Sequence, residues 1–189
     1  MENNFTAYIL AGGKSQRMGT EKGLLLLKSK TFVSHICDAL KPIVGDNIVI
    51  VSANVDYDIL GFPRIEDLID DKGPVGGIYT ALKHSKTKFN FVLSVDAPLV
   101  STELLQWLAN KHEDSYMMTQ VQVGEKASPL IAVYDRSCKA AFGEHMAGKQ
   151  LKLRQVIDDL SHQTLVVPEK WSKQIQNINT PEEYKNIQS

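Results

Sequence analysis

The chain has 189 residues and a formal net charge of −1, and this length predicts a single domain over residues 1–189. Hydrophobic residues make up 43% of the sequence and charged residues 23%, a balance that excludes a disordered or collagen-like chain. The near-neutral charge provides no field that would hold the whole protein on nucleic acid.

The cysteines and the apolar segments indicate the setting in which the protein works. Cys37 and Cys138 form no CxxC pair, and nothing upstream of them resembles a secretory signal. We therefore expect reduced thiols and a cytoplasmic protein. The longest apolar runs, such as 91–95, are far shorter than the ~20 residues of a membrane-spanning helix, so no membrane is expected as a partner.

Strand-like and helix-like segments alternate through the first half of the chain. The predicted elements are a strand at 6–10, a helix from 32 to about 42, strands at 47–51 and 64–66, a helix at 78–83, a strand at 89–95 and a helix capped by Ser101. This order predicts a largely parallel sheet with helices on both faces, and ligands bind beyond the carboxyl ends of the strands in such sheets.

The second half has weaker signals. Residues 116–123 and 129–134 flank Gly124-Glu125-Lys126 and form either a hairpin or two strands separated by an insertion. Helices at 140–146 and 151–160 and a strand at 164–167 follow. The last helix opens at Thr180-Pro181, where Thr180 and Glu183 have the spacing of a capping box.

The segment that follows the first strand is the most informative one for chemistry. Two glycines, Gly12 and Gly13, are followed by the cations Lys14, Arg17 and Lys22. Glycines let a ligand approach the backbone, and clustered cations favour phosphate. The alternative is an ordinary strand-to-helix turn with solvated lysines.

Two familiar phosphate-binding motifs do not fit this segment. Gly13-Lys14-Ser15 matches the end of a P-loop, but Tyr8 stands where the leading glycine is required. The dinucleotide fingerprint GxGxxG has no matching glycines either. A P-loop kinase and a dinucleotide-binding enzyme are therefore disfavoured.

Two aspartates follow predicted strands. Asp96 ends the clearest strand, where a carboxylate beside a polyphosphate would hold Mg²⁺; the alternative is a turn aspartate before Pro98. Asp67 precedes the segment 73–77, which either opens a helix whose N-terminus faces a ligand or forms a flexible surface loop.

Other kinds of catalytic site have no support in the sequence. The five histidines lack metal-ligand spacing, no serine lies in a GxSxG motif, and no Cys/His signature accompanies either cysteine. Neither a histidine metal centre nor acyl-enzyme chemistry is expected.

A series of motifs in a fixed order closely resembles the molybdenum cofactor guanylyltransferases. The motifs are Leu10-Ala11-Gly12-Gly13, Arg17-Met18-Gly19 with Lys22, Ile65-Glu66-Asp67, Gly73-Pro74 with Gly76-Gly77, Val95-Asp96-Ala97-Pro98, and Asn177-Ile178-Asn179-Thr180-Pro181-Glu182. Each motif also occurs in the wider nucleotidyltransferase superfamily, but this order in so short a chain is specific to the molybdopterin branch, and it spans nearly the whole sequence.

The resemblance implies a fold, a reaction and substrates. The fold is a three-layer α/β/α, Rossmann-like nucleotidyltransferase fold with a mostly parallel mixed sheet. The reaction transfers GMP from GTP to molybdenum-molybdopterin, with Mg²⁺ as cofactor and pyrophosphate as the second product. Transient contacts with other molybdenum cofactor proteins are implied as well.

The resemblance also implies roles for individual residues. The positions expected to bind the nucleotide are Leu10, Ala11, Gly12, Gly13, Lys22, Asp67 and Asp96. Arg17, Lys22 and Asp96 are the expected catalytic residues, with Asp96 as the metal ligand, and Gly77, Asn177 and Asn179 shape the acceptor end.

One position departs from the family pattern. Members of the family can carry a nucleotide-contacting asparagine after the second strand, where this chain has Ser52, with Asn54 two residues later. The preference for guanine is thus implied by the resemblance alone. The alternatives are CMP transfer to molybdopterin, nucleotidyl transfer to another small phosphorylated acceptor, and a relative that binds nucleotide without turnover.

A basic cluster near the end of the chain has two interpretations. Lys149, Lys152 and Arg154 form either a surface for the anionic acceptor or a solvated helix face, and solvated faces are the more common case.

Overall fold

The computed structural model describes residues 4–12, 21–69, 72–148 and 151–188. Its strands are β1 (Phe5–Leu10), β2 (Leu26–Leu27), β3 (Lys30–Thr31), β4 (Ile48–Val51), β5 (Arg64–Ile65), β6 (Phe89–Ser94), β7 (Met118–Val123), β8 (Lys126–Asp135) and β9 (His162–Val166). Its α-helices are α1 (Phe32–Val44), α2 (Gly73–His84), α3 (Thr102–Lys111), α4 (Lys139–Ala147), α5 (Leu153–Asp158) and α6 (Pro181–Gln188). Short 3₁₀ helices span Lys22–Leu24, Val55–Leu60, Arg136–Cys138 and Glu169–Ile175.

Seven strands form one mixed sheet in the order β5-β4-β1-β6-β8-β7-β9. The first four of these strands run parallel, and β7 and β9 are parallel to each other. Only β8 is antiparallel to its neighbours, β6 and β7. The predicted mostly parallel mixed sheet is therefore confirmed.

Alternating residues of β1 show why helices cover both faces. Ala7 and Ile9 pack in one core with residues of α1 and α3. Tyr8 and Leu10 point the other way, into a second core with residues of α2, α4 and α5. Because both faces of the central strands are apolar, both need a helical layer. The three-layer α/β/α architecture is confirmed.

Helix α2 begins at Gly73, five residues before the predicted start at 78. Gly73 has a φ of 56°, which favours glycine, and Pro74 occupies the first turn, where its missing N–H costs nothing. The segment 73–77 therefore opens a helix, as one of the two interpretations predicted, and is not a loop.

The region after Met118 forms a hairpin, which resolves the other open alternative. Strands β7 and β8 pair antiparallel around Gly124, whose φ is 55°. The register shifts between Gln120, which pairs with Ala132, and Val121, which pairs with Ser128. Residues 129–131 form a bulge in β8, and the Tyr134 hydroxyl donates to the carbonyl of Pro129 at 2.9 Å.

Other element bounds differ by a few residues. Helix α1 passes the predicted end near Pro42 because the buried Val44 holds its last turn. Helix α5 covers only Leu153–Asp158, and β9 starts at His162. The final helix begins at Pro181 as predicted, and the Thr180–Glu183 capping box forms, with the Glu183 N–H donating to Thr180 Oγ1 at 3.1 Å.

Within the described ranges, no helix has the length and apolar character needed to span a membrane.

Candidate functional site

Three residues that are far apart in the sequence meet at the carboxyl edge of the sheet. The Lys22 Nζ donates to Asp96 Oδ1 at 3.0 Å and to Asn179 Oδ1 at 2.7 Å. The Lys22 side chain is 12% exposed and that of Asp96 27%, so this ion pair is less screened by water than a surface pair. The cation is held beside the carboxylate at the mouth of a cleft.

The backbone fixes the two carboxyl-edge partners of Lys22. Asp96 follows β6, where its N–H donates to Ser94 Oγ at 3.2 Å. Its carbonyl accepts from the N–H of Ile178 at 2.7 Å. Ile178 is buried, so this bond ties the segment that carries Asn179 to the loop that carries Asp96.

A cleft of about 520 Å³ opens next to this pair, within the size range of small-molecule sites. Its lining residues come from four parallel-strand ends, the start of α2 and β8, and they are Leu10, Gly12, Val51, Asp67, Gly73, Pro74, Gly77, Ser94, Asp96 and Leu130. The cleft thus brings Leu10, Gly12, Asp67, Gly77 and Asp96 together, as the sequence predicted for a ligand site at this edge.

Asp67 lies between two glycines. A Cβ on Gly12 would lie 3.5 Å from Asp67 Oδ2, and a Cβ on Gly77 would lie 3.6 Å from Asp67 Oδ1 and 3.3 Å from the methyl carbons of Leu10. A Cβ at either position would make ordinary contact with the carboxylate, and one on Gly77 would also press on Leu10, so side chains here would narrow the cleft. The glycines therefore keep space for a ligand at the start of α2.

Ala11 lies behind the cleft. It is 2% exposed, its N–H donates to Val51 at 3.0 Å, and its carbonyl accepts from Ser52 Oγ at 3.1 Å. Both of its backbone groups are engaged by β4 and the residue that follows it. Among 10–12, Leu10 and Gly12 are the residues that line the cleft.

Ser52 is buried and does not line this cleft. Its hydroxyl donates to Ala11 and accepts from the N–H of Asn54 at 3.1 Å. Asn54 in turn caps the 3₁₀ helix Val55–Leu60, with its Oδ1 accepting from Asp56. The serine at the position that departs from the family pattern therefore joins the end of β1 to the loop that follows β4.

Gly13 and Arg17 lie outside the described residues. Of the two asparagines expected at the acceptor end, Asn179 has its side chain on Lys22, while Asn177 is partly buried one residue before Ile178. No local pattern indicates the Lys22–Asn179 contact, because 157 positions separate the two residues.

A second groove of about 680 Å³ lies between β7, β8, β9 and α5. Its lining is mixed, and its polar members include Gln120, Gln122, Lys126, Arg154 and Thr164. Arg154 of the predicted basic cluster lines this groove, whereas Lys152 does not. Lys149 lies outside the described residues.

Leu130 is a cleft residue that the sequence analysis missed. It reaches the cleft because the bulge at residues 129–131 interrupts β8. Pro129 is the signal that could have indicated this, because proline inside a strand marks an edge or a bulge.

Both cysteine thiols are buried. Burial raises the pKa of Cys37, with a further contribution from Asp38, to about 12. Burial also raises the pKa of Cys138 to about 12. Both thiols are protonated at neutral pH and poor nucleophiles.

Among the described residues, no group of three or more His, Cys, Asp or Glu side chains is arranged to hold a metal by itself.

Comparison with known proteins identifies the family. A family model for the MobA-like NTP transferase domain matches residues 7–165. A "probable molybdenum cofactor guanylyltransferase" of Flavobacterium johnsoniae is 41% identical over 182 residues, covering 96% of this chain and 95% of the relative. A protein of the same name from Carboxydothermus hydrogenoformans is 30% identical, with 97% and 95% covered.

Solved structures support the fold. The molybdopterin-guanine dinucleotide biosynthesis protein A of Archaeoglobus fulgidus superposes with a TM-score of 0.82 at 22% identity, covering 97% of this chain and 96% of that one. A CMP:2-keto-3-deoxy-manno-octonic acid synthetase complexed with CTP superposes with a TM-score of 0.73 at 14% identity, covering 97% and 96%. With the sequence matches, these likenesses confirm the resemblance: the chain belongs to the MobA-like nucleotidyltransferases, in the family of the molybdenum cofactor guanylyltransferases.

Proposed function

We propose that this chain transfers GMP from GTP to molybdenum-molybdopterin, forming the guanine dinucleotide cofactor and releasing pyrophosphate. The observation that carries the proposal is the meeting of Lys22 and Asp96 at 3.0 Å beside the carboxyl-edge cleft. A cation and a carboxylate at this edge suit a nucleoside triphosphate with its counterion. The 41% identical relative carries the corresponding name.

The nucleotide would lie along the cleft lined by Leu10, Gly12, Asp67 and Asp96, and Gly13 is proposed to bind it as well. Lys22, held by Asp96 and Asn179, would bind the phosphates with the remaining N–H of its ammonium group. Arg17, which the resemblance implies as a catalytic residue, would add a second cation. Replacement of Gly12 by a residue with a side chain would fill space next to Asp67. The proposal therefore requires glycine at position 12.

The metal site fits Mg²⁺ by the chemistry of its donors. Asp96 and Asp67 both line the cleft, and Mg²⁺ is typically held by one or two carboxylates together with substrate phosphates and water, not by a protein cage. A cleft with two carboxylates meets that requirement. Asp96 is the proposed metal ligand, and bound Mg²⁺ would neutralise charge on the phosphate oxygens.

The transfer is proposed to be a direct, in-line displacement. An oxygen of the acceptor's terminal phosphate attacks the α-phosphorus of GTP, the bond from that phosphorus to the bridging oxygen breaks, and pyrophosphate leaves. The chain needs no covalent intermediate, in agreement with its protonated thiols. Its own contribution is to position both substrates and to offset the negative charge with Lys22 and Arg17.

The acceptor would enter on the side of Gly77, Asn177 and Asn179. Gly77 lines the cleft at the first turns of α2, and Asn179 touches Lys22. The contacts of Gly77 and Asn179 support an acceptor site next to the proposed phosphate residues, as a transfer between two phosphates requires.

The experiment is pyrophosphate release by the purified protein with Mg²⁺ and molybdenum-loaded molybdopterin, comparing GTP, CTP and ATP. Release with GTP alone is expected. Release with CTP alone would keep the fold and the transfer but change the product. GTP binding without release from any nucleotide would contradict the proposal and favour a nucleotide-binding relative or another acceptor.

A matched variant tests the metal ligand. Asp96→Asn keeps the shape of the side chain but removes its charge, and we expect turnover in Mg²⁺ to fall by about 10²–10³-fold, as for the loss of one charge-stabilising group. If Asp96→Asn kept the wild-type rate of turnover at low Mg²⁺, Asp96 would not be the metal ligand.

A further inference from the structure

A buried tyrosine lies against the turn that carries Lys22. Tyr57 is in the 3₁₀ helix Val55–Leu60, after β4, and is 0% exposed. Its hydroxyl donates to Glu21 Oε1 at 2.8 Å. Glu21 immediately precedes Lys22, so the tyrosine holds the residue on one side of the phosphate-binding lysine.

The same tyrosine also contacts the residue on the other side. A Cβ built on Gly23 would overlap the Tyr57 hydroxyl and would lie 3.0 Å from two ring carbons, Cε1 and Cζ. The backbone N–H of Gly23 also interacts with the Tyr57 oxygen. Gly23 is therefore a glycine because the ring of Tyr57 occupies the space that a side chain would need.

The Lys22 turn is itself a short backbone element. Its backbone closes through the Leu24 N–H to the Glu21 carbonyl at 3.1 Å and the Leu25 N–H to the Lys22 carbonyl at 3.0 Å. A two-bond 3₁₀ turn is a weak element alone. The contacts at Glu21 and Gly23 add a buried anchor within one residue of Lys22 on each side.

Hydrogen bonds connect the segment that carries this anchor to the end of β1, behind the cleft. Ser52 Oγ donates to the Ala11 carbonyl and accepts from the Asn54 N–H, and Asn54 caps the helix that carries Tyr57. The end of β1 and the Lys22 turn are thus held by one continuous set of contacts across the carboxyl edge. Burial and the Glu21 carboxylate raise the pKa of Tyr57, so its hydroxyl keeps the proton that it donates.

We propose that Tyr57 is a positioning residue for the transfer reaction, which clamps Glu21 and Gly23 so that the Lys22 ammonium is presented to the phosphates of the nucleotide. This inference rests on the proposed phosphate-binding role of Lys22. It assigns a function to a core aromatic residue that touches neither substrate, and it gives Glu21 and Gly23 a shared reason for flanking the lysine.

The first test removes only the hydroxyl. Tyr57→Phe keeps the ring in the core, and we expect the KM for the nucleoside triphosphate to rise about tenfold, the size expected for loss of a hydrogen bond to a charged group, with the acceptor KM unchanged. Tyr8→Phe is the matched control. Tyr8 is 1% exposed, and its hydroxyl is hydrogen-bonded to His84 Nδ1 at a distance of 3.0 Å. Neither residue lines the cleft. The control variant should lose stability without a change in nucleotide KM.

The second test is a rescue. Gly23→Ala places a methyl group against the Tyr57 hydroxyl and should weaken nucleotide binding. In Gly23→Ala/Tyr57→Phe the hydroxyl is gone, so nucleotide affinity should recover in part relative to Gly23→Ala alone. A double variant that binds nucleotide more weakly than either single variant would overturn the proposed contact between Tyr57 and Gly23.

The third test separates this inference from the proposed function. Nucleotide affinity is measured by calorimetry with Mg²⁺ and GTP, which needs no turnover, in wild type, Tyr57→Phe, Lys22→Met and the double variant. We expect Tyr57→Phe to have no further effect in the Lys22→Met background. Additive losses, or a nucleotide affinity in Tyr57→Phe equal to wild type, would overturn the clamp. Absence of GMP transfer in wild type with this coupling intact would overturn only the proposed reaction.

Discussion

The two halves of the sheet are built differently and contribute differently to the site. The first half consists of the parallel strands β5, β4, β1 and β6, and the loops at their carboxyl ends supply most of the cleft. The second half contains the antiparallel β8, with a bulge that brings Leu130 to the same cleft. Parallel strands place their loops at one edge automatically, whereas the antiparallel half reaches that edge through an irregularity.

The chain segment that follows the second half of the sheet contacts residues of the first half. Asn179 accepts from Lys22, and the Ile178 N–H donates to the Asp96 carbonyl. The proposed phosphate residues of the first half are therefore held from both sides, by Tyr57 in the core and by Asn179 near the C-terminal helix. The comparison predicts that substitution of a phosphate residue in the first half reduces activity strongly. Substitution of a residue that only holds a phosphate residue in place should have a smaller effect.

The largest effect should follow from Lys22→Met, which keeps the aliphatic stem and removes the charge. We expect kcat/KM for GTP to fall about 10²–10³-fold, because a charge-stabilising group is lost at the reacting phosphates. The measurement is steady-state pyrophosphate release. Lys41→Met, which changes an exposed lysine on α1 paired only with the exposed Asp46, should stay near wild type. Equal effects of the two variants on kcat/KM would show that Lys22 does not bind the phosphates.

The next effect tests whether the C-terminal segment acts through the first half. Asn179→Ala removes the 2.7 Å partner of the Lys22 ammonium, and we expect the KM for GTP to rise about tenfold. Asn177→Ala, two residues earlier, should change only the KM for the acceptor. If Asn179→Ala instead changed only the acceptor KM, the contact with Lys22 would have no part in nucleotide binding.

A smaller effect concerns the position that departs from the family pattern. Ser52→Ala leaves the Asn54 N–H and the Ala11 carbonyl without the hydroxyl between them, and we expect a loss of about 1–3 kcal/mol in the free energy of unfolding. Urea denaturation measures this loss. The ratio of GTP to CTP turnover should not change, since Ser52 lies outside the cleft lining. An altered ratio would show that Ser52 contacts the base.

The smallest effect is at the capping box of α6. The Asn179 N–H, followed by the backbone and hydroxyl of Thr180, lowers the pKa of Glu183. A carboxyl whose pKa is lowered in the folded state stabilises above its unfolded pKa and loses that contribution as the pH falls through the folded value. The Tm difference between wild type and Glu183→Ala should therefore be present at pH 7 and shrink below about pH 4.

A control keeps the hydrogen bonding but not the charge. Glu183→Gln still offers an oxygen to the N–H groups of Asn179 and Thr180 and should show a Tm difference from Glu183→Ala that does not depend on pH. A Tm difference between wild type and Glu183→Ala that grows as the pH falls would contradict the lowered pKa of Glu183.

The sequence by itself determined the parallel half, the family and the candidate residues at strand ends. Buried strands such as Phe89–Ser94 are read from continuous apolar runs, and the loops that follow them must lie at one edge. It also determined the start of α6, because the capping box is formed by residues three positions apart. In each case the deciding interactions are local or are dictated by the order of elements.

The tertiary structure decided what depends on contacts between distant segments. The hairpin and its bulge required the pairing of β8 with both β6 and β7. The partners of Lys22 are 74 and 157 positions away, and its neighbour Glu21 is bonded by Tyr57 36 positions later. Hydrophobic periodicity and local propensity specify which residues are buried, but not which distant polar groups meet once the layers are packed.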